Sequence, residues 1–155
     1  MRNSVLFPLW PLAPFDTAWG VQKRGLWGER AVARKLWKSG HRILEHRWRG
    51  PRNTDVDLIA AADGYLLFAE VKVRDARDAD PWGDVFARER LRNLRLAVAA
   101  YLARTRQQEV AVTCRAYLVV PDPLRPRHPR IEVQEDYLNP RTIPGWRGIV
   151  GPGAE

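Results

Sequence analysis

Two segments in the middle of the chain have the hydrophobic patterns of paired β-strands. Residues 55–59 alternate acidic and apolar positions, whereas residues 68–72 are mostly apolar before they end in charge. Asp63 and Gly64 lie between them, and this dipeptide favours a two-residue type I′ turn. The pattern therefore predicts a β-hairpin over about residues 55–74.

The register of this hairpin brings charged residues together. Counting outward from the turn places Asp57 opposite Glu70. Asp55 falls opposite Lys72 on the same face of the sheet, because strand side chains alternate with a period of two. Like charges at directly opposed positions are destabilising. The Asp57–Glu70 pair therefore indicates that a cation lies between the two carboxylates, with a divalent metal as the best candidate.

Magnesium chemistry explains these residue types. Mg²⁺ prefers hard oxygen ligands, typically one or two carboxylates together with waters and substrate phosphate. We expect Asp57 and Glu70 to bind Mg²⁺ or Mn²⁺, with the Val71 carbonyl as a further ligand. Lys72 would orient or activate a water and stabilise negative charge at a phosphate. The alternative is a solvent-facing strand with alternating charge pairs.

A helix is predicted over about residues 19–39, where Ser39 and Gly40 form a C-cap signal. Glu29 shares one helical stripe with four apolar residues: Val32, Ala33, Leu36 and Trp37. A carboxylate on a buried stripe needs a partner. Glu29 is therefore expected either to reach the metal site or to pair with a nearby arginine.

A second helix is predicted from about Asp84, a favourable N-cap, to Arg104. Its core positions are Leu91, Leu94, Val98, Tyr101 and Leu102. Arginines on another stripe suit backbone phosphates, although a solvated surface is the alternative. The predicted nucleic-acid contacts are Arg47, Trp48, Arg49, Arg74, Arg88, Arg90, Arg92 and Arg95. Trp48 would either stack on an unpaired base or cover the sheet.

The remaining elements complete an α/β pattern. Short strands are predicted at residues 43–44, 115–120 and 131–133, with loops over 47–52 and 75–83. The order predicts a mixed β-sheet flanked by α-helices. We divide the chain into an extended, apolar, Pro-rich arm (1–18), one domain (19–135) and a Pro/Gly-rich tail (136–155).

Charge and cysteine content narrow the function classes. The 155 residues carry a net charge of +8 with a pI near 10.4. This favours a polyanionic partner, and nucleic acid before membrane, because no strongly basic amphipathic helix stands out. A generally Arg-rich composition is the alternative. The single Cys114 forms no internal disulfide, which fits a cytoplasmic protein with a buried thiol. The apolar run at residues 5–12 is too short to cross a bilayer.

The hairpin residues resemble a known family. Asp57 followed by Glu70, Val71 and Lys72 resembles the metal-binding core of PD-(D/E)XK nucleases, and the chain is more closely similar to the YraN family of predicted endonucleases, themselves similar to Holliday junction resolvases. Further matches are Gly28-Glu29, residues 54–59, residues 68–74, Trp82-Gly83, Arg90 and Arg115-Ala116-Tyr117. Departures from the family pattern are Arg47 for Asn, Thr54-Asp55 for Gly-Glu, Arg90 for Lys and Tyr117 for Asp.

The resemblance implies a restriction-endonuclease-like fold with an α-β-β-β-α-β core. It implies metal binding by Asp57 and Glu70, catalysis by Lys72 and support from Glu29. The expected function is a Mg²⁺- or Mn²⁺-dependent endonuclease acting on DNA, including branched or partly single-stranded DNA. A resolvase-like role favours a homodimer. The alternative is a non-catalytic nucleic-acid-binding module on the same scaffold, with DNA a better candidate partner than RNA.

Overall fold

Five strands form one mixed sheet in the computed structural model, which describes residues 11–153. The strands are β1 (Arg42–Arg49), β2 (Asp55–Ala62), β3 (Tyr65–Val73), β4 (Ala111–Val120) and β5 (Arg130–Gln134). They lie side by side in chain order, with β3 and β4 parallel and the other neighbours antiparallel. Helices α1 (Val21–Lys38) and α2 (Arg88–Arg104) flank the sheet, and α2 connects β3 to its parallel neighbour. The predicted α/β class and order of elements are confirmed.

The hairpin has the predicted register as far as its backbone pairing extends. Pairing runs from Ala62 opposite Tyr65 to Leu58 opposite Ala69. Beyond that point the Asp57 carboxylate accepts a hydrogen bond from the Val71 N–H, 2.8 Å long. The Val71 N–H, which a continued ladder would bond to the β2 backbone, thus bonds the Asp57 side chain instead, and the two strands separate there.

One predicted pair at the open end of the hairpin is not formed. Asp55 was expected opposite Lys72, but its carboxylate lies 3.5 Å from the Arg90 guanidinium. The ladder ends before these positions, so the register no longer controls which side chains meet. Tertiary contact with the start of α2 replaces the cross-strand pair.

Apolar side chains fill both faces of the sheet. On one face α1 packs its stripe against the strands through Ala31, Val32, Ala33, Leu36, Leu58, Leu67, Ala69, Tyr117 and Val119. On the other face α2 packs through Leu94, Ala97, Val98, Tyr101, Leu102, Ile59, Phe68 and Cys114. The predicted α2 core and the buried thiol are therefore confirmed. Trp37 is an exception on α1, since it is 43% exposed.

Several element boundaries differ from those predicted. Helix α2 begins at Arg88 after Ala87 without a side-chain cap, and the Asp84 carboxylate accepts a hydrogen bond from Arg74. Strand β1 continues to Arg49 through the segment predicted as a loop. Arg47 adopts a left-handed conformation there (φ 53°), which redirects neighbouring side chains while the strand continues.

The described ends of the chain pack on this core. Leu12 is buried on the α1 face, and the Trp27 indole donates to the Ala13 carbonyl at 2.8 Å. Residues 1–10 of the predicted arm lie outside the described residues. In the predicted tail, four side chains pack into the α2 core: Tyr137, Leu138, Ile143 and Trp146. No helix within residues 11–153 is long and apolar enough to span a bilayer.

Gly28 allows α1 to lie close to β3. A Cβ at this position would stand 2.3 Å from Val73 Cγ2 and 3.6 Å from Val71 Cγ1. Gly28→Ala should therefore lower the free energy of unfolding by about 1–3 kcal/mol, because helix and sheet must separate. Gly25→Ala is the matched control, since its Cβ meets only ordinary contacts and should raise that free energy by about 0.5–1 kcal/mol. Urea unfolding measures both free-energy changes. Changes of the same sign in the two variants would contradict this packing.

Candidate functional site

Two buried carboxylates lie together where β2 and β3 separate. Asp57 is 8% exposed and Glu70 is 2% exposed, and their carboxyl groups are within hydrogen-bonding contact. Lys72 follows two residues after Glu70 on the same side of β3, and its Nζ lies 3.9 Å from a Glu70 oxygen. We call Asp57, Glu70 and Lys72 the acidic cluster. The structure thus brings together the three residues that the sequence singled out.

The electrostatics of Asp57 reflect this crowding. Burial is the main reason that the pKa of Asp57 lies well above its usual value, and the neighbouring Glu70 carboxylate raises it further. Glu29 makes a smaller contribution in the same direction, while the Val71 hydrogen bond opposes the shift. Two carboxylates that are buried this close are stable only when cations offset them.

Arg90 supplies one of these cations. Its Nη2 donates to Glu70 at 2.5 Å and its Nε donates to the other Glu70 oxygen, a bidentate geometry. Burial lowers the pKa of Arg90, but the hydrogen bonds and charge of Glu70 outweigh burial and leave it above the ordinary value. Arg90 was predicted to contact nucleic acid, and here its guanidinium faces the acidic cluster.

Glu29 is held beside the cluster by residues of β1. It is 5% exposed, and its carboxylate lies 2.5 Å from His46 Nε2 and accepts from Arg47 Nε at 2.8 Å. The hydrogen bond to Glu29 is the main reason that the pKa of Arg47 is raised. Glu29 thus pairs with an arginine, Arg47 of β1, while its part in a metal site stays a prediction.

Two residues near the cluster were missed by the sequence reasoning. His46 contacts Glu29, although it has no spacing typical of a metal ligand. Tyr137 donates to the Val85 carbonyl at 2.5 Å, and burial followed by the Glu70 charge raises its pKa. The register of β1 shifts between Ile43 and Glu45, and this places His46 opposite Leu58. No local pattern indicates Tyr137, because it approaches from the distant C-terminal segment.

The residues predicted to bind nucleic acid divide into two groups. Several have partners within the protein: Arg74 bonds Asp84, Arg95 bonds Thr142, and Trp48 packs edge-on against Tyr101 at 5.3 Å. Trp48 is half-buried against α2, and its stacking on an unpaired base stays a prediction. The exposed group comprises Arg49, Arg88 and Arg92, with the partly exposed Arg47 engaged by Glu29.

The available donors suit a hard divalent metal. Within residues 11–153 no group of three or more His, Cys, Asp or Glu side chains has a metal-binding arrangement. The donors are instead two carboxylates and a backbone carbonyl. The N–H and C=O of one strand residue point to the same side, so the Val71 carbonyl also points to the β2 side of β3. Mg²⁺ accepts such a set with waters completing its shell, whereas zinc usually requires more protein ligands.

Comparison with known proteins identifies a family for the same part of the chain. The model of the uncharacterised protein family UPF0102 matches residues 28–133, which include the acidic cluster, Glu29 and Arg90. A UPF0102 protein of Moorella thermoacetica is 42% identical over 82 residues, covering 52% of this chain and 67% of that protein. One from Prochlorococcus marinus is 34% identical over 52% of this chain and 64% of its own length. One from Bradyrhizobium is 36% identical over 68% of this chain and 73% of its own length.

Asp57→Asn tests the repulsion within the cluster. Asparagine retains an oxygen for the Val71 N–H but removes a buried charge, so the free energy of unfolding at neutral pH should rise by about 1–2 kcal/mol. A carboxyl whose pKa is higher in the folded state binds its proton more tightly there. Wild-type stability should therefore fall as the pH rises above 3.8, and the variant should lose this dependence.

Asp63→Asn provides the control for that measurement, because Asp63 is exposed at the hairpin turn. Its unfolding free energy should follow the wild-type pH profile. A destabilised Asp57→Asn protein in metal-free buffer would show that the carboxylate is favourable where it lies and would contradict the repulsion.

Proposed function

The chain belongs to the UPF0102 family, and we propose that it is a Mg²⁺- or Mn²⁺-dependent endonuclease that hydrolyses phosphodiester bonds in DNA. The observation that carries this proposal is the contact between the buried Asp57 and Glu70 carboxylates beside Lys72. The resemblance of the hairpin to PD-(D/E)XK and YraN endonucleases supports it. Branched or partly single-stranded DNA is the preferred substrate in this proposal.

Each residue of the cluster has a distinct part in such a reaction. Asp57, Glu70 and the Val71 carbonyl would hold the metal, which polarises the scissile phosphate and lowers the pKa of a bound water. The Lys72 ammonium would orient the attacking water and stabilise charge that develops on the phosphate oxygens. Glu29 would act as a positioning residue, because its contacts are with His46 and Arg47.

The charge distribution suits a polyanionic substrate. The net charge is +8, and the exposed Arg88 and Arg92 lie in the same helix as Arg90, which contacts Glu70. Neutralisation of phosphates by these side chains would release counterions and favour binding at low salt. A substrate bound along the start of α2 would therefore bring a phosphate toward the acidic cluster.

One observation favours a second function, a non-catalytic nucleic-acid-binding module. Arg90 already offsets Glu70 through a bidentate pair and contacts Asp55 as well. A guanidinium in that place gives the carboxylates a purely structural role. The two functions differ in a single measurable property, which is turnover with a divalent metal.

Cleavage and binding should respond differently to two substitutions. Asp57→Asn should abolish metal-dependent cleavage but leave DNA binding equal or tighter, because a charge that repels phosphate is removed. Lys72→Met should also abolish cleavage but weaken binding severalfold, because a cation near the phosphate is lost. The measurements are a cleavage panel of junction, flap, single-stranded and plasmid DNA, and binding titrations in EDTA.

Folded wild type that cuts none of these substrates with Mg²⁺ or Mn²⁺ but still binds them would favour the binding module. Loss of both binding and cleavage in every variant would instead indicate misfolding, so circular dichroism accompanies each preparation.

Arg90 should compete with the metal for Glu70. In Arg90→Gln the Glu70 carboxylate loses its bidentate partner, so Mg²⁺ should raise the melting temperature more than in wild type. Arg77→Gln is the matched control, because Arg77 is exposed and pairs only with Asp75 among the ion pairs of the described chain. A smaller Mg²⁺ effect in Arg90→Gln than in wild type would exclude metal binding at Glu70.

A further inference from the structure

A second site lies on the face of the sheet opposite to that of Glu70. A cavity of about 980 Å³ opens between the C-terminal half of α1, strands β4 and β5, and the segments at 127–129 and 152–153. Arg115 and Tyr117 line it and pair in register with Ala69 and Val71, but they face α1, whereas Glu70 faces α2 across the sheet. The cavity is therefore separate from the proposed catalytic site.

A buried arginine with unused donor capacity lines this cavity. Arg115 is 4% exposed; it donates to the Tyr117 hydroxyl at 3.2 Å and to the Pro152 carbonyl at 3.3 Å. Its Nε has no hydrogen-bond partner within the described chain. A buried guanidinium without a carboxylate partner is costly, and an unsatisfied N–H adds to that cost. An anion that binds this guanidinium from the cavity would offset the buried charge.

The surroundings of Arg115 are cationic. The lining includes Arg34, Lys35, Lys38 and Arg127, and no Asp or Glu among the residues that the structure describes. The Glu135 carboxylate lies at the edge of the cavity, since a Cβ at Gly153 would stand 2.8 Å from its Oε2, and its charge adds slightly to the effect of burial in raising the pKa of Tyr117. Within the described chain Glu135 forms no hydrogen bond with Arg115, so this carboxylate leaves the Nε of Arg115 without a partner.

The pKa of His41 depends on the charge inside the cavity. Its Nε2 lies 2.6 Å from the Tyr65 hydroxyl, and its Nδ1 lies 3.1 Å from Ser39 Oγ. Burial is the main reason that the pKa of His41 is lowered, and the positive charge of Arg115 lowers it further. An anion bound beside Arg115 would cancel part of that effect and raise the pKa of His41.

We propose that this cavity binds a small organic phosphate monoester, with the phosphate on Arg115 and Tyr117. A guanidinium presents a planar fork of donors that matches phosphate oxygens, and here the Nε atom of the fork has no partner within the described chain. The other wall is apolar and includes Leu12, Ile131 and Val133, which suits an organic group attached to the phosphate. The volume falls in the range of small-molecule sites.

The depth of the site argues for a small molecule over a nucleic-acid backbone. Arg115 is 4% exposed, so only a phosphate that enters the recess reaches it. Phosphates of a duplex lie on a wide, continuous surface and contact exposed side chains. The proposal does not depend on the endonuclease activity, because the two sites share no residue.

Calorimetry in phosphate-free buffer at constant ionic strength tests the site with three probes: inorganic phosphate, phenyl phosphate and phenol. Phenyl phosphate should bind at least tenfold more tightly than inorganic phosphate, because it also buries its ring. Phenol alone should bind far more weakly than phenyl phosphate. In NMR spectra the pKa of His41 should rise on addition of phenyl phosphate. Equal affinities for phenyl phosphate and chloride would overturn the proposal.

Substitutions locate the binding. Arg115→Gln should weaken phenyl phosphate binding by roughly 10- to 100-fold, since it removes charge-assisted hydrogen bonds. Should this buried variant not fold, Arg127→Gln at the exposed rim should still weaken binding severalfold. Arg125→Gln is its control, because Arg125 is exposed but does not line the cavity.

Equal affinities in the Arg127 and Arg125 variants, together with an unchanged His41 resonance, would place phosphate elsewhere and overturn the assignment. A 5′-phosphorylated duplex that displaces phenyl phosphate, while an unphosphorylated duplex does not, would also overturn it in favour of nucleic-acid ends.

Discussion

The hydrogen bond from the Val71 N–H to the Asp57 carboxylate determines the geometry of the acidic cluster. It ends the β2–β3 ladder at Leu58 and Ala69, and it fixes Asp57 against β3. Asp57 then faces Glu70 in a buried environment, where each carboxylate raises the free-energy cost of ionising the other. The cationic groups nearby, Arg90 and Lys72, follow from this requirement.

The parts of the fold that depend on local chemistry could be predicted from the sequence. Asp63-Gly64 and the flanking patterns determine the hairpin and its register, so the meeting of Asp57 with Glu70 follows from counting along the strands. The apolar stripe of α2 likewise predicts its buried face. In each case the relevant neighbours are close in sequence or joined by a tight turn.

The parts that depend on tertiary contacts could not be predicted in this way. Asp is a residue type favoured at N-caps, yet the Asp84 carboxylate bonds Arg74 and the helix begins only at Arg88. This shift leaves Arg90 in the first turn of α2, where it faces Glu70 instead of extending from a helical surface. Tyr137 approaches the same region from the C-terminal segment, which has no repeating pattern to read.

The sheet keeps its two polar regions apart. Glu70 and Arg115 lie on neighbouring parallel strands, but Arg115 pairs in register with Ala69 and faces α1 together with Tyr117. Glu70 points to the other side, where Arg90 reaches it from α2. Because adjacent residues of a strand face opposite sides, a buried carboxylate and a buried guanidinium occur at neighbouring positions without neutralising each other.

Arg90 is the residue on which both interpretations of the acidic cluster depend. A guanidinium stays charged at every physiological pH, so it offsets Glu70 under all conditions and stabilises the fold without a metal. It does not offset Asp57 in the same way, since its second contact is with Asp55. A divalent ion would relieve the remaining repulsion between Asp57 and Glu70. A purely structural ion pair between Arg90 and Glu70 gives no reason to retain a second carboxylate at position 57.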